Sequence, residues 1–109
     1  MNCPSTLFVE TPVPPLVATA RLTSDHRLEF RRAVLETLEQ AVRAGAGVVE
    51  VDLSATVEID ASGLGVLVLL QKRARERGLR TRLLGTPPAV REMLRGTRLD
   101  VLFELPTPA

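Results

Sequence analysis

The chain has 109 residues, enough for one hydrophobic core and too few for a second. Apolar residues make up 45% of it and charged residues 25%, which excludes a disordered or fibrous protein. A formal net charge of +1 and three phenylalanines, with no tyrosine or tryptophan, argue against nucleic-acid binding and against stacking on a flat cofactor.

The sequence carries no mark of export or of membrane insertion. Its only cysteine, Cys3, has no second thiol for an intramolecular disulfide, which fits a reducing compartment. The longest apolar run, Gly63 to Leu70, is far shorter than the ~20 residues that span a bilayer, and no signal-peptide pattern precedes it. We therefore expect a cytoplasmic protein without a metal site or a cofactor.

The first half of the chain predicts two strands and a helix. Thr6 to Thr11 alternates polar with apolar residues and runs into prolines, which predicts an edge strand paired antiparallel with a second strand over Leu16 to Leu22. Ser24 or Asp25 is expected to cap the helix that follows. The predicted inward stripe of this helix consists of Phe30, Val34, Leu38, Ala41 and Val42.

The second half predicts strands alternating with helices. Val48 to Leu53 is short and rich in β-branched residues, as expected of the central strand of a sheet. Helix formers follow an apolar start and stop at a glycine, which predicts a helix from about Ser62 to Arg77. A half-buried strand over Leu79 to Leu83 comes next, and then a helix capped at Thr86 and opened by two prolines. The buried stripe of that helix is predicted to be Val90, Met93 and Leu94.

This order of elements predicts an α/β domain with a mixed sheet of four to five strands and helices packed against it. The domain is expected to span residues 6–105, with a loose segment at 1–5 and a tail at 106–109. The closing element, Leu99 to Leu105, is of undefined type.

The most informative segment runs from Val48 to Gly65. A buried strand ends in Asp-Leu at 52–53, and the run Ile59–Gly65 (Ile-Asp-Ala-Ser-Gly-Leu-Gly) opens an apolar helix. This segment resembles the STAS domain of bacterial anti-sigma factor antagonists, whose hallmark is Asp-Ser-Ser-Gly-Leu-Gly or a near variant after a strand ending in Asp-Leu-Ser. The resemblance extends more weakly from about Leu16 to Leu105.

The resemblance implies a switched interaction protein and not an enzyme. In that family the hallmark serine matched by Ser62 is phosphorylated by a kinase that is also the anti-sigma factor. The unphosphorylated protein captures the anti-sigma factor and frees a sigma factor, and phosphorylation ends the capture. A serine phosphatase is a further expected partner. The residues predicted to bind the partner are Thr23, Asp25, Thr56, Glu58, Asp60, Ala61, Ser62, Gly63, Leu64 and Gly65.

The residues themselves leave plainer roles open. Ser62 could be only a helix N-cap, worth roughly 0.5 to 2 kcal/mol, although a helix N-terminus also tolerates a phosphate. Gly63 and Gly65 are expected to leave the hydroxyl reachable by a kinase. Asp60 either orients the hydroxyl, touches the partner, or bonds nearby backbone N–H groups as a turn carboxylate. Asp52 is expected to have a structural role near the same rim.

The sequence departs from the family pattern beside the hallmark. Thr23 stands where many relatives carry an aspartate, and Asp25 is the nearest replacement for that charge. Thr56 and Glu58 replace apolar residues. We expect these changes to alter the surface beside Ser62. The resemblance therefore does not identify the partner kinase or the signalling pathway.

Other functions are weaker interpretations of the same residues. Within the fold, the chain could be the STAS subunit of a lipid-transport ABC system or a stress-signalling scaffold. A serine hydrolase would need Ser62 as nucleophile, His26 as base and Asp52 or Asp60 to orient it, but the Gly-x-Ser-x-Gly elbow is missing. Gly63-Leu64-Gly65 is a weak nucleotide-loop signal. A basic cluster is interpreted as a solvated face and consists of Lys72, Arg73, Arg75, Arg77, Arg80 and Arg82.

Overall fold

The computed structural model describes residues 13–106. The strands are β1 (Leu16–Val17), β2 (Arg21–Leu22), β3 (Val48–Asp52), β4 (Glu58–Ile59) and β5 (Arg80–Leu84), and the helices are α1 (Arg27–Arg43), α2 (Ala61–Glu76) and α3 (Pro88–Gly96). Short 3₁₀ turns cover Ser24–His26 and Asp100–Leu102. The alternation of strands and helices confirms the predicted α/β class.

The strands of the described part of the chain pair in parallel. β3 lies between β1 and β5, with Val51 opposite a residue of each neighbour, which confirms its predicted central position. β2 and β4 form a separate two-stranded pair, with Leu22 opposite Ile59. The antiparallel part of the predicted mixed sheet depended on Thr6 to Thr11, which lie outside the described residues.

The strand predicted over Leu16 to Leu22 is broken in its middle. The N–H of Ala18 still donates to the carbonyl of Asp52 at 2.9 Å, so this residue follows β3. Two residues later, the carbonyl of Ala20 accepts a hydrogen bond from the N–H of Val57 at 2.8 Å. The chain therefore leaves the three-stranded sheet and continues as β2 beside β4.

The start of α1 differs from the prediction. Neither Ser24 nor Asp25 caps the helix, because both lie in the 3₁₀ turn that precedes it, and His26 occupies the N-cap position. The N–H of Ser24 donates instead to a carboxylate oxygen of Asp60. Of the predicted stripe, four residues are buried and Val42 is only half-buried.

The core lies on one face of the three-stranded sheet. α1 and α2 pack side by side against this face and cover Val49, Val51 and Leu83. In α3 the buried residues are Val90 and Leu94, whereas Met93 is 37% exposed, so its predicted place in the stripe is wrong.

The start of α3 and the segment that follows this helix complete the C-terminal half of the domain. The N-cap of α3 is Pro87, and the Thr86 hydroxyl donates to the carbonyl of Leu83 without capping the helix. Leu99 to Leu105, whose type the sequence did not define, contains the second 3₁₀ turn, and Glu104 then forms a parallel bridge with Arg82.

Ion pairs cover the sheet face opposite the core. The guanidinium of Arg82 contacts Glu50 at 2.8 Å and Glu104 at 3.1 Å. Away from that face, Arg77 at the end of α2 pairs with Glu39 of α1 at 3.1 Å. Because members of the predicted basic cluster already have acidic partners within the chain, its interpretation as a solvated face is supported. Over residues 13–106, none of the helices combines the length and apolar character that crossing a membrane requires.

Candidate functional site: the rim around Ser62

Ser62 lies at a strand-to-helix junction. β4 ends at Ile59, Asp60 takes the N-cap position with extended backbone, and α2 begins at Ala61. Ser62 is thus the second residue of the helix, and it is half-buried. The predicted helix start is right to within one residue, but the interpretation of Ser62 as the N-cap is wrong.

The Asp60 carboxylate is the helix cap, and it also joins two segments. Oδ1 accepts hydrogen bonds from the N–H groups of Ser62 at 2.9 Å and Gly63 at 3.1 Å. Oδ2 accepts from the N–H of Ser24 at 3.0 Å. The hydrogen bond from Gly63, with those from Ser24 and Ser62, lowers the pKa of Asp60 below its ordinary value of 3.8. The turn-carboxylate interpretation is confirmed.

This cap predicts an acid-sensitive contribution to stability. Because the folded-state pKa of Asp60 is lowered, its contribution is present above the ordinary value of 3.8 and is lost as the pH falls through the lowered pKa. We expect the wild type to lose more stability than Asp60→Asn between about pH 5 and pH 2. Urea midpoints measured across this pH range test the prediction. Asp52, whose pKa is also lowered, titrates alike in both proteins and so does not contribute to the difference between them. Equal acid losses in the two proteins contradict the prediction.

Gly63 has a packing role that the sequence did not reveal. A Cβ at this position would collide with the backbone oxygen of Leu22 and lie 2.9 Å from Cγ1 of Ile59. Gly63 is buried, so the expectation that it keeps the Ser62 hydroxyl accessible is corrected: its hydrogen lets β2 and β4 lie against α2. At Gly65, by contrast, a Cβ would have no neighbour within 4 Å, consistent with an open surface.

A groove of 530 Å³ runs between the N-terminal parts of α1 and α2, and we call it the Ser62 groove. Its α1 wall includes Leu28, which is 68% exposed and which the sequence did not single out. The four-residue spacing of Arg27 and Arg31 signals a common helix face, but nothing in the sequence showed that this face meets α2. The groove is lined by Arg27, Leu28, Arg31, Ala61, Ser62, Gly65, Val66 and Leu69.

The predicted partner-binding residues divide by exposure. Asp25, Glu58, Ala61 and Gly65 are exposed, Thr23, Asp60 and Ser62 are half-buried, and Thr56, Gly63 and Leu64 are buried. The 3₁₀ turn that contains Asp25 is tied to the start of α2 through the hydrogen bond from Ser24 to Asp60. The structure thus brings the 3₁₀ turn Ser24–His26 and the start of α2 together at one rim of the domain.

Besides the buried Gly63, two more of the predicted contact residues belong to the interior and not to a partner interface. Thr56 is 2% exposed, and its hydroxyl donates to the carbonyl of Thr19 at 2.9 Å. Leu64 belongs to the core cluster. We correct the expectation that these side chains meet a partner, because neither reaches the surface. The neighbouring Val57 is 78% exposed and was missed, since a single valine beside a strand carries no distinctive signal.

The residues required by a serine hydrolase are engaged elsewhere. His26 Nδ1 lies 3.4 Å from the hydroxyl of Thr23, and His26 lines a different cavity from Ser62. Asp52 Oδ1 accepts hydrogen bonds from the hydroxyl and the N–H of Ser54 at 2.7 and 2.9 Å, and these lower its pKa. The structural role expected for Asp52 agrees with this contact.

Comparison with known families gives one match over most of the chain. The family model described as "Mlab, STAS domain" matches residues 14–105. A comparison with curated proteins gave no match.

Solved structures share the fold at low sequence identity. A proposed anti-sigma factor antagonist from Thermotoga maritima is 21% identical, with a TM-score of 0.69 over 84% of this chain and 78% of the other. The unphosphorylated antagonist SpoIIAA is 15% identical, with a TM-score of 0.59 over 85% and 77%. The phosphorylated form of SpoIIAA from Bacillus is 17% identical, with a TM-score of 0.58 over 84% and 79%. At these identities the likeness shows the fold.

Proposed function

Because this chain belongs to the STAS domain family, we propose that it is a cytoplasmic interaction protein whose capture of an anti-sigma factor is ended by phosphorylation of Ser62. The anti-sigma factor is itself the serine kinase. When the unphosphorylated protein holds it, a sigma factor is free to direct transcription. A serine phosphatase restores the binding form, and the protein has no enzymatic activity of its own.

The placement of Ser62 carries this proposal. Asp60 caps α2, and among residues 13–106 the Ser62 hydroxyl has no hydrogen-bond partner, so a kinase can modify it without breaking a structural bond. The modification adds about −1.5 to −2 charges at the rim shared by Asp25 and Glu58. Such a charge disfavours a partner that must bury it.

The two forms of SpoIIAA support the idea that phosphorylation acts on an interface and leaves the fold intact. The unphosphorylated and the phosphorylated protein resemble this chain almost equally, with TM-scores of 0.59 and 0.58. A switch of this kind changes the affinity for a partner through local charge.

The direct test is phosphorylation by the kinase that co-purifies from the native cell. Incubation with ATP followed by peptide mass spectrometry is expected to find one phosphate, at Ser62, and none in Ser62→Ala. Ser24→Ala is the matched control, because Ser24 is an exposed serine at the same rim. An unmodified Ser62, in the presence of kinase that is active on another substrate, would refute the switch.

A second candidate is the STAS subunit bound to the ATPase of a lipid-transport ABC system. The matched family model is described as Mlab and not as an anti-sigma factor antagonist. This description is the observation that favours the second candidate. The same co-purification separates the two. Recovery of an ABC ATPase without a serine kinase supports the second candidate.

A further inference from the structure

We propose that a phosphate on Ser62 forms ion pairs with Arg27 and Arg31 of α1 in the same chain. The inference rests on the proposed function in one respect, that Ser62 is the modified residue. It adds where the phosphate lies and which groups compensate its charge.

The Asp60 cap leaves the start of α2 with few N–H groups that could compensate a phosphate. The N–H groups of Ser62 and Gly63, which a free helix end offers to an anion, already donate to Oδ1 of Asp60. The hydrogen bonds that Asp60 accepts also keep this carboxylate ionised, with a lowered pKa. A phosphate at Ser62 therefore has a negative neighbour, and its compensating cations must come from another element.

Arg27 and Arg31 are the cations that the fold places there. They lie one helical turn apart on α1 and line the Ser62 groove opposite Ser62. Both residues are exposed, and no carboxylate within residues 13–106 forms an ion pair with either of them. Their guanidinium groups are thus available, and a guanidinium matches the geometry of phosphate oxygens.

The pairing changes what a partner meets in the groove. Without phosphate, the charged side chains among the described residues that line the Ser62 groove are the two guanidinium groups, an excess of two positive charges. A phosphate of about −1.5 to −2 charges cancels that excess. Phosphorylation therefore removes two cations that an acidic partner surface could use, in addition to presenting a negative group.

A ³¹P NMR titration of the full chain with phosphoserine installed at position 62 by codon reassignment tests the pairing without a kinase. At low salt, the second pKa of the phosphate is expected to be roughly half a unit lower in the wild type than in the Arg27→Gln/Arg31→Gln double variant. The difference should shrink in 1 M salt, where the Debye length is about 3 Å.

Arg32→Gln/Arg43→Gln is the matched control, because it removes the same charge from the same helix at residues that do not line the Ser62 groove. It is expected to titrate like the wild type. The same phosphate pKa in all three proteins overturns the pairing, and so does an equal rise in both double variants. The single variants Arg27→Gln and Arg31→Gln, each expected to show part of the shift, provide an independent reading.

This result is separable from the fate of the proposed function. If the installed phosphoserine of the wild type shows the lowered pKa, but the kinase leaves Ser62 unmodified, the pairing is upheld and the switch is refuted. Efficient phosphorylation by the kinase without a difference between the variants refutes the pairing alone.

Discussion

Ser62→Asp is expected to weaken capture of the anti-sigma factor by roughly ten- to a hundredfold, whereas Ser62→Ala leaves the affinity within about twofold. Aspartate puts a fixed negative charge on a half-buried position beside Asp60, and the partner must cover both charges. Alanine removes a hydroxyl that has no hydrogen-bond partner in the described part of the chain.

Ser62→Asn is the control that separates charge from size, because its side chain has the shape of aspartate without the charge. Calorimetric titration with the purified partner is expected to rank Ala and Asn close to the wild type and Asp far below. If Asn weakens binding as much as Asp, steric conflict and not charge governs the interface. Raising the salt concentration should reduce the Asp effect, since the charge is partly exposed.

Aspartate is also an incomplete substitute for phosphoserine if the inferred ion pairs with Arg27 and Arg31 form. It carries a single charge on a short side chain, and it offers one planar carboxylate where a phosphate offers three oxygens. We therefore expect phosphoserine at position 62 to weaken binding more than Ser62→Asp does.

Gly63→Ala is expected to destabilise the protein by about 2 kcal/mol or more. The new methyl group meets the backbone oxygen of Leu22, which cannot move away without shifting β2, and it also crowds the side chain of Ile59. Close packing between a helix and two strands leaves little room for adjustment.

Gly65→Ala is the matched comparison, and it is expected to stabilise the protein by about 0.5 to 1 kcal/mol. Both glycines lie in α2, but a Cβ at Gly65 points into open space. Urea unfolding of the two variants measures both values. A change of the same sign in both proteins contradicts the packing role assigned to Gly63.

Local pattern predicted the α/β class and most of the helices well. The apolar spacing along α1, the β-branched run of β3 and the glycine after α2 are each properties of neighbouring residues. The hallmark run likewise located Ser62 at a helix start, because a polar turn followed by an apolar run marks a strand-to-helix junction.

Local pattern could not decide which of two chemically similar residues performs a structural role. Asp60 and Ser62 are both good capping residues, and only the approach of one carboxylate to two N–H groups identified the cap. Thr56 looked like a surface departure from the family pattern, yet its hydroxyl is satisfied by a carbonyl 37 residues away. A polar side chain with a distant partner is indistinguishable in sequence from an exposed one.

By itself, the sequence determined the three helices, the central position of β3 and the serine in the first turn of α2, since each follows from short-range periodicity and turn chemistry. The tertiary structure decided that Asp60 ties α2 to the segment after β2, that Gly63 is needed against β2, and that Arg27 and Arg31 share a groove with Ser62. These features join residues some thirty to forty positions apart, and their geometry exists only once the helices have packed on the sheet.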